Sequence, residues 1–351
     1  MERAIGTIML AVNLDEISAG TRVTADLVVA GQTVNELRVP LVVLRGRLPR
    51  PLLVLMAGIH GDEYNGIKGL QELANDWDPA TLLGTVIIIP VANPLAFAAV
   101  RRSTPEDDLD LNRVFPGDAS GTITRRLAHA LSEGVLRHAD LVFTLHGAEC
   151  VNALVPWIEF LDLPLALAKT TWTHARASGF TDLIGLPQLT GTLQTAMIPY
   201  GVPVIEGEVG GRGTLEPESV RYYRDRAADV AESAGVLPRR PGAGTPPQSA
   251  VWHMQAIVAP ATGILSPMAG LGHRVNAGQR LGLISDICGA VVGEIVAEYD
   301  GVVGARREHS GLLAGDAAFI LWIAPDADAP SHAWDELLRY PSNEEPLEPE
   351  A

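Results

Sequence analysis

Cysteine is nearly absent from this chain: Cys150 and Cys288 are the only two in 351 residues, far apart and in no paired spacing. That argues against a disulfide framework and fits a reducing compartment, where each reads as a small buried apolar residue. Lysine is equally scarce, with Lys68 and Lys169 alone. Nearly all positive charge is therefore arginine, whose planar fork suits carboxylate recognition. Positive charge as a whole is short, 26 basic residues against 42 acidic for a formal net charge of -16. A field of that sign repels phosphate backbones and anionic membrane surfaces, so neither nucleic acid nor a membrane is an expected partner. No apolar run reaches the roughly 20 residues of a membrane-spanning helix. The longest, Val86 to Val100, is broken by Pro90, Asn93 and Pro94, and the amino terminus MERAIGTIMLAVNLDE has neither a basic leader nor the apolar core of a signal peptide. The expected location is cytoplasmic.

What the chain does have is apolar material, 47% of residues against 19% charged, enough for a sizeable core. Its length suggests one large and one small domain. Residues 21 to 46 carry β-branched runs around a Gly-Gln turn, which predict leading antiparallel strands. PLLVLMAGIHGDEYNG then joins an apolar strand, a glycine-bracketed turn and a helix through Leu73. TVIIIPVANP, DLVFTLHGAE and VPVIEGEVGG are further buried strands, separated by the amphipathic TITRRLAHALSEGVLRHA and followed by a closing helix, PESVRYYRDRAADVAESAGV. Unalternating strands spaced by helices predict a largely parallel sheet covered on both faces. Residues 1–237 thus form an expected catalytic domain, 238–250 a linker rich in proline and glycine, 251–325 a β-rich domain of glycine-punctuated strands, and 326–351 an acidic, loosely ordered tail.

The sharpest local feature is His60-Gly61-Asp62-Glu63 after an apolar strand. A histidine nitrogen and a carboxylate oxygen are both zinc donors, and a tight turn can aim them at one point. Gly58 and Gly61 permit that turn. Catalytic zinc takes three protein ligands, and His146, closing another strand, is the candidate for the third because open α/β sheets place their sites at strand carboxyl ends. Downstream, Arg101, Arg102, Asn112 and Arg113 share a glycine- and proline-flanked loop that either binds a carboxylate or forms salt bridges to Asp107, Asp108 and Asp110.

The ordered set AGIHGDEYNG, ANPLAF, DLDLNRVFPG, LHGAE and EGEVGGRG, spread over residues 40 to 325, resembles the succinylglutamate desuccinylase/aspartoacylase family of the zinc carboxypeptidase superfamily. The resemblance implies a mixed, largely parallel sheet flanked by helices and one zinc per chain, held by His60, Glu63 and His146. It implies a deacylase that cleaves the amide of a small N-acyl amino acid with metal-activated water. It further implies substrate-carboxylate binding by Asn112 and Arg113, and, by the RxxPxD pattern, oxyanion stabilisation by Arg102 rather than Arg101. The family's glutamate base maps to Glu208, with Glu206 as its rival because residues two apart on a strand face the same way. One departure is Thr144, where family members usually carry an aspartate; its absence removes no ligand but could weaken metal affinity.

Two passages between residues 262 and 322 resemble the biotinyl and lipoyl half-barrel, yet no lysine follows Lys169 to carry a cofactor. A structural or gating role is then expected. The alternative activity is a zinc carboxypeptidase acting on peptides. A non-catalytic zinc module is disfavoured by the presence of both Glu208 and Arg102. Oligomeric state is left open, a homo-oligomer included.

Overall fold

The computed structural model describes residues 14–29, 37–163, 166–240 and 250–325. The chain divides into two compact units between Trp252 and His253. In the first, β1 (Thr21–Val29), β2 (Leu37–Arg45), β3 (Leu52–Ala57), α1 (Tyr64–Asp76), β4 (Thr85–Ile89), α2 (Pro94–Ala99), α3 (Ile123–Gly134) and β5 (Leu141–His146) are followed by β6 (Asn152–Leu154), β7 (Trp157–Leu161), α4 (Ala166–Ala177), β8 (Asp182–Leu186), α5 (Leu193–Ala196), β9 (Val204–Glu208) and α6 (Pro217–Ser233). The sheet order is β1-β2-β4-β3-β5-β9-β7-β8. Its centre, β4-β3-β5-β9, is parallel, as the unalternating apolar runs predict, while β1, β2 and β7 enter antiparallel. The fold is mixed α/β.

Period-two alternation divides the buried side chains between two faces. Leu52, Val54 and Met56 of β3, with Val142 of β5 and Val204 of β9, pack against Leu127 and Leu131 of α3 and Leu193 of α5. Leu53, Leu55, Phe143, Leu145 and Ile205 pack the other face against Ile67 and Leu70 of α1 and Tyr223, Ala227 and Val230 of α6. Toward the carboxyl ends of β5 and β9 the first face turns polar: Val142 gives way to Thr144 and His146, and Val204 to Glu206 and Glu208. That change of character marks where the site lies.

The strand β10 (Ala250–Val258) spans the unit boundary, and its first residues run parallel to β8. In the second unit β10, β11 (Gly263–Pro267), β12 (Arg274–Val275), β13 (Arg280–Ser285), β14 (Val291–Val296), β15 (Gly301–Arg307), β16 (Gly311–Leu312) and β17 (Ala317–Ile323) form antiparallel pairs around one apolar core that includes Leu281, Ile295, Phe319 and Leu321. Most of the expected linker and the acidic tail lie outside the described residues. Both cysteines are free, but neither is fully buried as the sequence led us to expect. Cys288 is exposed because its turn is held by Asp286, whose carboxylate accepts from the Cys288 and Ala290 amides. Among the described residues, no helix is long and apolar enough to cross a membrane.

Candidate metal centre and active site

At the end of β3 the chain makes a sharp turn before α1. Gly58 sits at φ +63°, a conformation costly for residues with a Cβ. Gly61 lies so close to α2 that a Cβ there would fall 2.0 Å from the Ala96 carbonyl carbon. Gly61→Ala should therefore destabilise the protein by about 3 kcal/mol or more. Denaturant titration measures this, and an unshifted midpoint would contradict it.

The turn delivers His60 and Glu63 to one place. Glu63 stands at the N-cap of α1 but makes no capping hydrogen bond. Its carboxylate turns instead to the two histidines, Oε1 lying 2.7 Å from His60 Nδ1 and Oε2 3.1 Å from His146 Nδ1. β5 is the parallel neighbour of β3, so His146, its last residue, emerges at the same edge. The ring nitrogens of His60 and His146 are 3.4 Å apart, and the donor atoms of the three residues all lie within 4.8 Å of one another. Two nitrogens on one tetrahedral zinc are separated by roughly 3.3 Å, from metal–nitrogen distances of about 2.0–2.1 Å. All three side chains are buried, and the other ring nitrogen of His146 is buried without a partner among the described residues. Two imidazoles and one carboxylate are a donor set of catalytic zinc type, so the residues fit the ion that the sequence resemblance implies. Burial and the Arg102 charge act to lower the His60 pKa, yet Glu63 and Asp110 outweigh them and raise it. Burial alone would raise Glu63, and the two histidines hold it below the usual carboxylate range.

Asparagine and proline cues at the end of β4 start α2, capped by Asn93, and the loop beyond it carries the arginines. Arg101 points outward to Asp108 at 2.5 Å, whereas Arg102 is largely buried between Asp110 Oδ2 at 2.8 Å and Glu149 Oε1 at 2.6 Å. The salt bridges weighed in the sequence thus exist, and they hold Arg102 beside the donor cluster. Asp110 also reaches His60 Nε2 at 3.2 Å. Asn112 is buried, its Oδ1 accepting from the Leu193 amide at 2.9 Å, and its amide group hydrogen-bonds Glu206. Arg113 donates to the Asn112 carbonyl at 2.8 Å.

Glu208 lies directly across from His146 in the β5–β9 register, while Glu206 lies one row deeper, opposite Thr144. Both face the same side, as their spacing predicts. Burial raises both carboxyl groups, Glu208 further, because Glu63, Glu159 and Glu206 also surround it. Oε2 of Glu208 is buried without a partner among the described residues. Tyr223 of α6 closes the far side, its hydroxyl donating to the carbonyl of His146 and, at 2.6 Å, to that of Gly207.

Glu149, one of the acids the sequence offers as a pocket residue, holds a positive φ of 56° three residues past His146 and turns its carboxylate onto Arg102. One member of this neighbourhood escaped the sequence reading. Glu159 stands in β7, directly opposite Glu206. An isolated acid inside the apolar WIEFL run was the signal available there.

The catalytic-domain model of the succinylglutamate desuccinylase/aspartoacylase family matches residues 49–233. The N-alpha-acetyl-L-2,4-diaminobutyric acid deacetylase of Halomonas elongata is 31% identical over 292 residues, covering 80% of this chain and 84% of that one. Among solved structures, the product-bound ectoine utilization protein EutE (DoeB) of Ruegeria pomeroyi aligns with a TM-score of 0.81 at 25% identity, over 89% of this chain and 98% of that one. A succinylglutamate desuccinylase/aspartoacylase of Rhodobacter sphaeroides aligns with a TM-score of 0.78 at 27% identity, over 91% and 100%.

Proposed function

Because the chain belongs to the succinylglutamate desuccinylase/aspartoacylase family, we propose that it is a zinc-dependent amidohydrolase removing the acyl group from a small N-acyl amino acid. The observation that carries this reading is the convergence of three donors, a buried arginine and a buried glutamate at the carboxyl edge of β3, β5 and β9. His60, Glu63 and His146 would hold the ion. When bound, zinc supplies Lewis acidity, polarising a carbonyl and making a neighbouring water more acidic.

The chain's own residues do the rest. Glu208 takes the proton of the attacking water and passes it to the leaving nitrogen. Its burial suits the second task, since a carboxyl held high retains a proton until a more basic acceptor arrives. Arg102, fixed by Asp110 and Glu149, presents a guanidinium to the oxygen on which charge develops. Asn112 and Arg113 bind the substrate's carboxylate: the Asn112 oxygen is committed to the Leu193 amide and its NH2 group already reaches Glu206, which leaves one NH2 hydrogen as donor. The site is closed, with ligand side chains no more than 4% exposed and that of Arg102 12%. Such enclosure suits a small acylated amino acid better than a peptide.

The test is amine release from a panel of N-acetyl, N-succinyl and N-formyl amino acids, run beside short peptides. We expect turnover of at least one acylated amino acid with kcat/KM of about 10⁴ M⁻¹s⁻¹ or more, and none of the peptides. Turnover confined to peptides would replace this reading with the carboxypeptidase one.

A further inference from the structure

Both histidines of the donor cluster turn Nδ1 toward Glu63, so each presents Nε2 to the protein behind it. For His60 that nitrogen meets a carboxylate directly, Asp110 at 3.2 Å. For His146 it meets no partner among the described residues, although the side chain is buried. When Nδ1 gives its lone pair to a metal, the ring proton sits on Nε2 and needs an acceptor. Thr144, two residues back on β5, does not serve, since its hydroxyl is likewise without a partner among the described residues.

The acid between the first two ligands, Asp62, has the complementary need. It is only 2% exposed. Its Oδ2 accepts from the Cys150 amide at 3.1 Å, and the Cys150 thiol hydrogen-bonds the same carboxylate, but Oδ1 is buried without a partner among the described residues. Buried polar atoms are ordinarily paired, directly or through water. Asp62 and His146 line one cavity of about 10 Å³. Neither His60, Arg102 nor Glu208 lines it, so it lies on the side of His146 away from the donor cluster. That volume is close to the least that takes a single water, roughly 10–15 Å³, and too small for any larger guest. Of the other polar side chains on its wall, Glu149 is turned onto Arg102, and Thr214 donates to the Gly211 carbonyl at 3.2 Å, which leaves its lone pairs. A water with these neighbours accepts from His146 Nε2 and donates to Asp62 Oδ1 and to Thr214. Three hydrogen bonds are the usual complement of a buried water.

We propose that Asp62 is a positioning residue for His146, acting through one water held in this cavity. By way of the water, the carboxylate keeps the ring proton on Nε2, leaves Nδ1 free to donate, and fixes the plane of the imidazole. Asp62 also ties the third ligand to the turn that carries the first two, because its other oxygen holds the loop that follows β5. The proposal rests on the metal reading of His60, Glu63 and His146, and concerns only what steadies one of them.

The experiment measures zinc affinity of the full chain by competition with a chromophoric chelator, beside a crystal structure of the zinc-loaded protein. The wild type should bind one zinc, and its structure should show one ordered water within hydrogen-bond distance of both Asp62 Oδ1 and His146 Nε2. Asp62→Asn should weaken zinc binding by about tenfold or more. That substitution keeps an oxygen for the Cys150 amide but turns an NH2 group to the cavity, so the water loses its anionic partner. Unchanged affinity in Asp62→Asn would overturn the proposal and reduce Asp62 to a brace for the Cys150 loop. A cavity free of water in the zinc-loaded wild type, or a His146 Nε2 bonded directly to a protein oxygen, would overturn it too. Both are read without a variant, so they decide the matter if Asp62→Asn folds poorly. A wild type that binds no zinc would remove the metal reading itself, whereas tight wild-type binding with no loss in Asp62→Asn removes this proposal alone.

Discussion

Chelation should abolish amine release from the acylated substrate and zinc should restore it: that is the result expected on the reading that His60, Glu63 and His146 hold the ion that their donor set fits. The expected loss is at least about 1,000-fold, since both polarisation of the carbonyl and acidification of water depend on the metal. His146→Ala should reproduce it and resist rescue at moderate zinc. Removing one imidazole leaves His60 and Glu63 alone, and the surviving carboxylate loses one of its two hydrogen-bonded partners. Metal content by elemental analysis should fall in parallel with activity. The wild-type melting temperature should drop on chelation as well, because an ion at about 1,000 times its Kd stabilises the folded state by about 4 kcal/mol. Undiminished turnover by metal-free protein would refute the metal assignment outright.

Glu208→Gln comes next in size. Gln keeps the shape of the side chain and removes only its capacity to accept and return a proton, so kcat should fall by about 10² to 10⁴ while KM changes little. Zinc content should be unaltered, because Glu208 is not among the donors drawn together at the β3 and β5 ends. Steady-state kinetics with elemental analysis separates this outcome from a misfolded or metal-depleted protein. Retained kcat in Glu208→Gln, together with its collapse in Glu206→Gln, would transfer the base to the deeper row.

Much of this site was legible because the central strands are largely apolar runs that stop at or just before the polar residues of the site. LLVLMA, TVIII and LVFTLH announce themselves, and the strand-end residues follow from where each run stops. The segment from Asn152 to Ala196 was not legible in the same way. β7 interrupts its apolar run with Glu159, and α4 spreads Thr170, Thr171 and Thr173 through a helix of weak amphipathic character. Contacts between distant positions were equally hidden. Arg102 and Glu149 are 47 residues apart and meet only because α2 and the end of β5 share an edge. The pairing of Glu206 with Glu159 depends on β7 running antiparallel to β9, a direction that no periodicity records.

The hydroxyl of Tyr223 spans the carbonyls of His146 and Gly207, a link that reaches across 77 residues of chain. During synthesis the three donors emerge early, the last of them at position 146, long before β9 and α6 exist. A nascent chain halted near residue 200 would own every ligand yet lack the neighbouring strand and the helix that fix the third one in place. On the zinc reading proposed above, stable metal capture would wait for α6 to dock. Zinc uptake by ribosome-bound chains of increasing length should then switch on only after residue 223 has cleared the exit tunnel, so that on the zinc reading its onset would report completed folding in the first unit.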